Sequence, residues 1–356
     1  MSSSLTIRGL TRRDRVVRLI GPSWRALTGG PGRGRDEERR TLVACSGGAD
    51  SSALVLALEA AVGVKEGGAG GPTGARVGAG RLVVGHVVHD LRSRAEAEAD
   101  RDAARALAGS LGLGFVESRV EVKGRRGNAE AVARRERYAA LTLMAAEQGC
   151  GFVATAHHAD DQLETLLMGV VRGGGPRALA GIAASRAMGR VRIIRPALGV
   201  TRAELRAACG RAGWNWREDA TNADETRLRS ALRHRVLPIL EEIRPGAARR
   251  AAHAAVLQAH AARMVRELAE EVVERGLVEA GVLWEADQLR AMSPMVLGEA
   301  LRMAALGLRG GCGADRIGSR QIGPVVEAIA ARRTGSWDWP GVRVEVDRRE
   351  VRLCVR

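Results

Sequence analysis

Lysine and aromatic residues are scarce in this chain of 356 residues. Lys65 and Lys123 are the only lysines, so arginine supplies nearly all of the formal net charge of +15. Aromatic side chains make up only 3% of the residues, so aliphatic side chains must fill the core. The positive charge favours a polyanionic partner, since each arginine placed on a phosphate releases a counterion. Compositional drift in a GC-rich genome gives the same bias, so charge alone does not identify the nucleic acid.

Cysteine pairs and long apolar runs are also missing. The five cysteines are scattered, and no Cys-x-x-Cys pair occurs. This pattern disfavours a disulfide framework, a zinc knuckle and a redox pair, and it fits a reducing cytosol. No apolar run reaches the length of a membrane span, and the arginine-rich residues 1–40 contain no apolar signal-peptide core. We therefore expect a cytoplasmic protein without a membrane partner, and we interpret residues 1–40 as a basic extension, with a transit peptide as the alternative.

Apolar strands and longer helices alternate between residue 41 and about residue 194. The patterns predict strands at 41–45, 81–88, 115–122, 151–156 and 191–194, and helices at 50–62, 95–111, 129–148 and 160–171. Such alternation predicts an α/β fold, an open parallel sheet with helices on both faces. In this architecture ligands bind beyond the carboxyl ends of the strands. The glycine-rich segment 63–80 is predicted to be a surface insertion.

The pattern becomes helical after residue 202. Helices are predicted at 202–212, 229–242 and 247–274. Valines alternate with polar residues before and after 347–350, which predicts a closing hairpin entered from a turn at Pro340-Gly341. We therefore expect four parts, which are the extension 1–40, a catalytic domain 41–225, a helical RNA-binding region 226–285 and a small C-terminal domain 286–356.

The first candidate site is the turn between the first strand and the first helix. Its residues are Ser46, Gly47, Gly48, Ala49, Asp50, Ser51 and Ser52. The glycines let backbone N–H groups approach an anion, the serine hydroxyls add donors, and the helix N-terminus adds positive potential. Asp50 is the position at which a magnesium ion can bridge the loop to a polyphosphate. The alternative is a simple helix cap, with Asp50 or Ser51 as the N-cap residue.

The second candidate site follows the fourth strand. Asp161 and Glu164 lie three residues apart, so both fall on one face of the next helix, where they can hold magnesium or a cationic amine. His157 and His158 precede them and can donate to a developing charge near neutral pH. The alternative is a capping box of Asp161 with Glu164 beside two partly buried histidines. One stretch can serve both purposes.

Several motifs carry a resemblance to a known family. The loop Ser-Gly-Gly-x-Asp-Ser resembles that of the N-type ATP pyrophosphatases, or PP-loop enzymes. The stretch 154–181, including Arg172-Gly-Gly-Gly, resembles the second signature of the tRNA(Ile)-lysidine synthetases. Further motifs occur in the order found in that family, at 86–92, 127–138, 195–198, 202–205, 216–222 and 232–238. The resemblance covers about residues 41–243. Ser230 departs from it, since the family usually has Asn there, and 63–80 adds a loop.

The resemblance implies a specific reaction. The enzymes of this family use ATP and Mg²⁺ to adenylate the wobble cytidine in the CAU anticodon of tRNA(Ile), and the ε-amine of free L-lysine then displaces AMP. It implies catalytic roles for Asp50, His158, Asp161 and Arg137, with Asp50 and Asp161 holding magnesium. It also implies contacts to lysine or tRNA by Asp161, Glu164, Arg172 and Arg233. Whether the chain forms a homodimer stays open.

Three other functions compete with this one. A tRNA thiolation enzyme of the same superfamily is the nearest, and the lack of Cys-x-x-Cys and iron–sulfur ligands disfavours it. A small-molecule amidotransferase such as GMP synthetase needs a glutaminase domain or partner. A non-catalytic RNA-binding module with a degenerate ATP site is disfavoured because the Ser-Gly-Gly-x-Asp-Ser loop is intact.

Overall fold

The computed structural model describes residues 7–29, 39–63, 81–91, 93–125, 128–218, 228–279, 281–310 and 317–356. The chain divides into two compact units, the first comprising 1–165 and 182–253 and the second comprising 166–181 and 254–356. The units therefore divide at positions other than the domain boundaries expected at 225/226 and 285/286. Nearly all of the expected insertion 63–80 lies outside the described residues. Within the described residues, no helix is long and apolar enough to span a membrane.

The first unit is built on a six-stranded sheet. Its strands are β1 (Thr41–Ala44), β2 (Leu82–His89), β3 (Gly114–Val120), β4 (Phe152–Ala154), β5 (Ser185–Met188) and β6 (Val191–Ile194). Their order is β3-β2-β1-β4-β6-β5, and all neighbours are parallel except β5, which pairs antiparallel with β6. The chain leaves β1 for β2 on one side and later returns to β4 on the other. The carboxyl ends of β1 and β4 therefore flank the crevice where such sheets bind ligands.

Both units contain helices. In chain order they are α1 (Arg15–Leu27), α2 (Ala49–Val62), α3 (Arg94–Ser110), α4 (Ala129–Glu147), α5 (Ala159–Val171), α6 (Pro176–Leu179), α7 (Arg202–Ala212), α8 (Leu228–Ala231), α9 (Leu237–Ile243), α10 (Ala247–Gly276), α11 (Ala286–Arg290), α12 (Pro294–Leu308) and α13 (Ser319–Ala330). A π-helical turn at Leu232–Val236 joins α8 to α9. The predicted helix 229–242 is therefore three consecutive helical pieces.

Two layers of apolar side chains cover the sheet. Alternation along β1 places Val43 in the core that contains α1, α2 and α7, and Leu42 in the core that contains Tyr138 and Leu141 of α4. Gly85 on β2 makes room for Leu42, since a Cβ there would lie 2.5 Å from a Leu42 methyl group. The α/β prediction with helices on both faces is confirmed.

Helix α1 lies within residues 1–40, which the composition predicts to be a basic extension. Its N-cap is Asp14, and its apolar stripe packs on α2 through Val16, Val17, Ile20 and Trp24. The indole N–H of Trp24 donates to the Thr41 hydroxyl at 3.0 Å, which ties the helix to the start of β1. The described part of this segment is therefore integrated into the core of the first unit. Arginines on the exposed side of α1 make the segment basic in composition, so its apolar stripe is not recognised from composition alone.

The second unit has its own antiparallel sheet. Its strands are β7 (Leu277–Val278), β8 (Gly281–Glu285), β9 (Gly335–Trp339), β10 (Val342–Val346) and β11 (Glu350–Val355), in the order β7-β8-β11-β10-β9. The pairing of Val342–Val346 with Glu350–Val355 confirms the predicted hairpin. Inward-facing side chains such as Trp284, Val344 and Leu353 form a separate core with α12 and α13.

Candidate active site

The loop after β1 opens directly onto the start of α2. The helix begins at Ala49 with Gly48 as its N-cap, and no side chain caps it. The alternative of a simple cap by Asp50 or Ser51 is therefore wrong. Gly47 has a φ of +86°, which favours glycine, and a Cβ there would lie 2.8 Å from the Asp100 carbonyl oxygen. The first N–H groups of a helix have no intrahelical acceptor, so this end of α2 can bind an anion.

The three serines of the loop have different environments. Ser51 Oγ accepts the Ser46 N–H at 3.1 Å and donates to the Gly48 carbonyl at 3.1 Å. Ser46 Oγ lies 3.1 Å from Ser51 Oγ. Both serines line the cleft described below, whereas Ser52 is fully buried and does not. Ser46 and Ser51 therefore shape the loop and face the ligand space, and Ser52 belongs to the helix interior.

A cleft of about 1020 Å³ lies at the carboxyl edge of the first sheet. Contributions come from the ends of β1, β2 and β4, from α4, and from residues 228–236, which comprise α8 and the π-helical turn and are called the α8 region below. Its polar lining includes Ser46, Asp50, Ser51, His86, Glu130, Arg134, Arg137, His157, His158, Asp161, Arg229, Ser230 and Arg233. This volume is at the upper end of the range for small-molecule sites. The loop after β1 and the segment after β4 therefore share one cavity.

His158 lies among three carboxylates. Its Nε2 is 3.5 Å from both Asp50 Oδ2 and Asp161 Oδ2, and its Nδ1 is 3.5 Å from Asp160 Oδ2. Burial alone would lower the pKa of His158, but the charge of Asp161 and the contacts with Asp160 and Asp50 outweigh it and raise the pKa to about 10. His158 is therefore a fixed cation at neutral pH. Its positive charge is shared between Asp50 of the loop and the two aspartates at the start of α5.

Asp161 and Glu164 are held by two arginines of the α8 region. Glu164 is fully buried, and its oxygens accept from Arg229 Nε at 2.7 Å and from Arg233 Nε at 2.6 Å. Asp161 Oδ1 accepts from Arg229 Nη2 at 2.9 Å. Asp161 Oδ2 accepts the backbone N–H of His158 at 3.0 Å, because Asp161 is the third residue of α5. The capping alternative is therefore correct in that Asp161 takes part in capping α5, since its carboxylate accepts the N–H of His158. It is wrong in naming Glu164 as the partner of Asp161 in a capping box.

This arrangement changes the expected role of Glu164. The sequence suggested that Glu164 contacts lysine, but its carboxylate is fully buried and it does not line the cleft. The two guanidinium groups that it holds do line the cleft. Burying a carboxylate is costly unless it is paired, which explains why two arginines converge on it. In this structure Glu164 acts on the cleft through Arg229 and Arg233.

Arg134 and Arg137 of α4 also make the lining of the cleft cationic. The guanidinium groups of Arg134 and Arg137 lie over the ring of Tyr138, at 5.4 and 5.8 Å from its centroid.

His157 Nδ1 lies 3.0 Å from the Thr155 hydroxyl. Burial, together with Arg195 and other nearby arginines, lowers the pKa of His157 to about 3 despite Asp161. The two adjacent histidines therefore differ in charge at neutral pH.

The residues fit a magnesium ion that is shared with a ligand. Asp50 Oδ1 is buried and has no hydrogen-bond partner. Asp161 is less suited, since both of its oxygens already accept hydrogen bonds. No group of three or more metal-binding side chains occurs among the described residues. Magnesium commonly binds through one or two carboxylates and the phosphates of its nucleotide, so Asp50 alone is a sufficient protein ligand.

Most of the residues expected at the site converge on this cleft. Asp50, His158, Asp161, Arg137 and Arg233 line it. The expected contact residue Arg172 lies in the second unit, where its N–H donates to the Met168 carbonyl as α5 ends. The cleft residues that were not singled out for a role at the site from the sequence include His86, Glu130, Arg134, Tyr138, Arg229 and Ser230. Arg134 and Tyr138 stand in the motif 127–138 that carries the family resemblance, and this was the available signal for them, whereas Ser230 departs from the residue that the family usually has.

Comparisons with known proteins agree with this geometry. Residues 25–240 match the PP-loop domain family. A tRNA(Ile)-lysidine synthase from Streptomyces coelicolor is 39% identical over 88% of this chain and 84% of the relative. Another from Rhodopirellula baltica is 37% identical over 76% of this chain and 68% of the relative. A third from Alkalilimnicola ehrlichii is 42% identical over 65% of this chain, but the match spans only 49% of that longer relative.

One solved structure is more distantly similar. The U34-tRNA thiolase NcsA from Methanococcus maripaludis, with its [4Fe-4S] cluster, is 15% identical, with a TM-score of 0.49. The match covers 75% of this chain and 82% of that chain.

Proposed function

The chain belongs to the tRNA(Ile)-lysidine synthase family of PP-loop proteins, and from this premise we propose that it converts the wobble cytidine of a CAU anticodon to lysidine. The substrates are ATP, free L-lysine and tRNA(Ile). The observation that carries the proposal is the uncapped start of α2, which opens beside Asp50 into a cleft rich in arginine.

ATP is proposed to bind with its phosphates at the loop after β1. The N–H groups at the start of α2 and the hydroxyls of Ser46 and Ser51 are the donors. Asp50 would hold the magnesium ion through its buried Oδ1, and the ion would screen the phosphate charge. Arg134 and Arg137 of α4, which also line the cleft, supply positive charge for the departing pyrophosphate.

Two covalent steps follow in this proposal. The O2 oxygen of cytidine attacks the α-phosphorus of ATP, the α–β bridging P–O bond breaks, and pyrophosphate leaves. The ε-amine of lysine then attacks C2 of the adenylated base, the C2–O2 bond breaks, AMP leaves with O2, and the amine gives up its protons. ATP thereby turns a poor leaving group on the base into AMP.

The amine of lysine needs a negative partner. Asp161 lines the cleft and is the proposed partner, since a carboxylate oxygen that already accepts one hydrogen bond can accept a second from an ammonium group. Glu164 fixes Arg229 and Arg233 beside it. Recognition of cytidine requires an unstacked anticodon loop, which single-stranded RNA readily provides. Arg233 and the exposed Arg172 are proposed contacts to the RNA backbone.

Incorporation of labelled lysine tests the function. Protein, ATP and Mg²⁺ are incubated with radiolabelled lysine and either a tRNA(Ile) transcript with CAU or a tRNA(Met) transcript with the same anticodon. We expect label in tRNA(Ile) only, and at least a roughly 100-fold slower reaction with Asp50→Asn. Asp102→Asn, at an exposed position of α3, is the matched control and should react like wild type. Sulfur incorporation, or RNA binding with no label in either tRNA, would refute the proposal.

A further inference from the structure

Two charged residues, Asp100 and Arg217, contact the loop after β1 from outside the cleft. Arg217 Nε donates to Asp100 Oδ1 at 3.0 Å, and the backbone N–H of Arg217 donates to the Gly47 carbonyl at 3.2 Å. Asp100 lies on α3, and Arg217 lies beyond the end of α7. Neither residue lines the cleft. The ion pair therefore joins two segments that meet on Gly47.

The backbone of Gly47 is enclosed by the same two residues. Its φ of +86° and the 2.8 Å approach of the Asp100 carbonyl oxygen to a hypothetical Cβ leave room for glycine alone. A trans peptide is planar, so the N–H of Gly48 points opposite to the Gly47 carbonyl. Because that carbonyl is bound by Arg217, the direction of the Gly48 N–H is fixed as well, away from Arg217.

We propose that the Asp100–Arg217 ion pair is a positioning device that holds the Gly47–Gly48 peptide in its anion-binding orientation. The Asp100 side chain is 14% exposed and the Arg217 side chain is 43% exposed, so the carboxylate is held in place within the fold while the guanidinium group reaches it from the surface. Arg217 is thereby kept where its backbone N–H meets Gly47. The ligand is the polyphosphate of ATP, and in this respect the inference rests on the proposed function.

Equilibrium binding of a non-hydrolysable ATP analogue tests the device without chemistry. An analogue with a methylene bridge between its α- and β-phosphates is titrated with Mg²⁺ onto the full chain, in the absence of tRNA and lysine. Arg217→Ala and Asp100→Ala are each expected to weaken binding about 5- to 20-fold, as coupled residues do. The double variant should be no weaker than either single variant. Arg217→Lys should recover part of the affinity.

Arg105→Ala is the matched control. Arg105 pairs with Glu117 at 2.9 Å from the same helix α3 and does not touch the loop. We expect unchanged analogue affinity for this control. A thermal melt of each variant separates local misplacement from unfolding, because a positioning role predicts lost affinity with a melting temperature within about 3 °C of wild type.

Steady-state kinetics give a second readout. The Arg217→Ala variant should have a raised KM for ATP, with the KM values for lysine and tRNA unchanged. Unaltered analogue affinity in both single variants, additive losses in the double variant, or an equal loss in Arg105→Ala would overturn the inference. Wild-type protein that binds the analogue but forms no lysidine would refute only the proposed function. Wild-type protein that does not bind the analogue would refute both.

Discussion

Replacing Glu164 with glutamine isolates the contribution of the buried acid to the cleft. Its two oxygens accept three hydrogen bonds from guanidinium groups, at 2.6, 2.7 and 3.1 Å. Glutamine keeps one acceptor, but its NH₂ group would face N–H donors, and the negative charge would be lost between two arginines. Breaking a buried ion pair costs about 3–5 kcal/mol. We therefore expect Glu164→Gln to destabilise the first unit by about that amount.

Thermal unfolding measures this effect. For a unit of this size, each kcal/mol lowers the melting temperature by roughly 2–4 °C, so a loss of roughly 6–20 °C is expected. Glu98→Gln is the matched control, because Glu98 forms an exposed (i,i+4) pair with Arg94, and such surface pairs contribute little to stability. If Glu164→Gln melts with the control and instead raises only the KM for lysine, Glu164 contacts the substrate and the assigned structural role is wrong.

Two further predictions concern the loop and the histidine. Gly47→Ala should abolish ATP-analogue binding, since the added methyl group meets the Asp100 carbonyl and the φ of +86° is strained. Gly109→Ala, at a position with nothing within 4 Å, should bind normally, and equal binding by both variants would contradict this reasoning. The folded-state pKa of His158, about 10, exceeds its ordinary value of 6.5, so the stability it provides is complete below pH 6.5 and is lost as pH rises through 10. Urea unfolding of wild type and His158→Gln should therefore differ most at about pH 6 and least above about pH 10, and a difference that grows with pH would refute the charged state of His158.

Much of the first unit follows from sequence patterns because its elements are local. Strands β1, β2 and β4 are short, mostly apolar runs, and the loop after β1 is fixed by glycine and serine. Strand β5 was missed since it is a four-residue edge strand with two exposed residues, which has no apolar run to mark it. Helix α1 was missed because its stripe of Val16, Val17, Ile20 and Trp24 is short and embedded in arginine.

The partners of the site side chains could not be predicted in the same way. The sequence places Asp161 and Glu164 on one face of a helix, and this is where they lie. It does not say that Arg229 and Arg233, which are 65 and 69 residues beyond Glu164, occupy that face. The contact depends on how the α8 region returns to the sheet, a tertiary arrangement. The same holds for Asp100 and Arg217, which are 117 residues apart and meet only in the folded chain.

In the proposed reaction the cleft activates the RNA base and not the amino acid. To test this order of events, the label is followed from ATP that carries ³²P at the α-phosphate, with tRNA(Ile) present and lysine omitted. The proposal predicts label attached to the tRNA, released as AMP when lysine is added, with neither event in Asp50→Asn. Label that accumulates as ADP, or on lysine in the absence of tRNA, would contradict it.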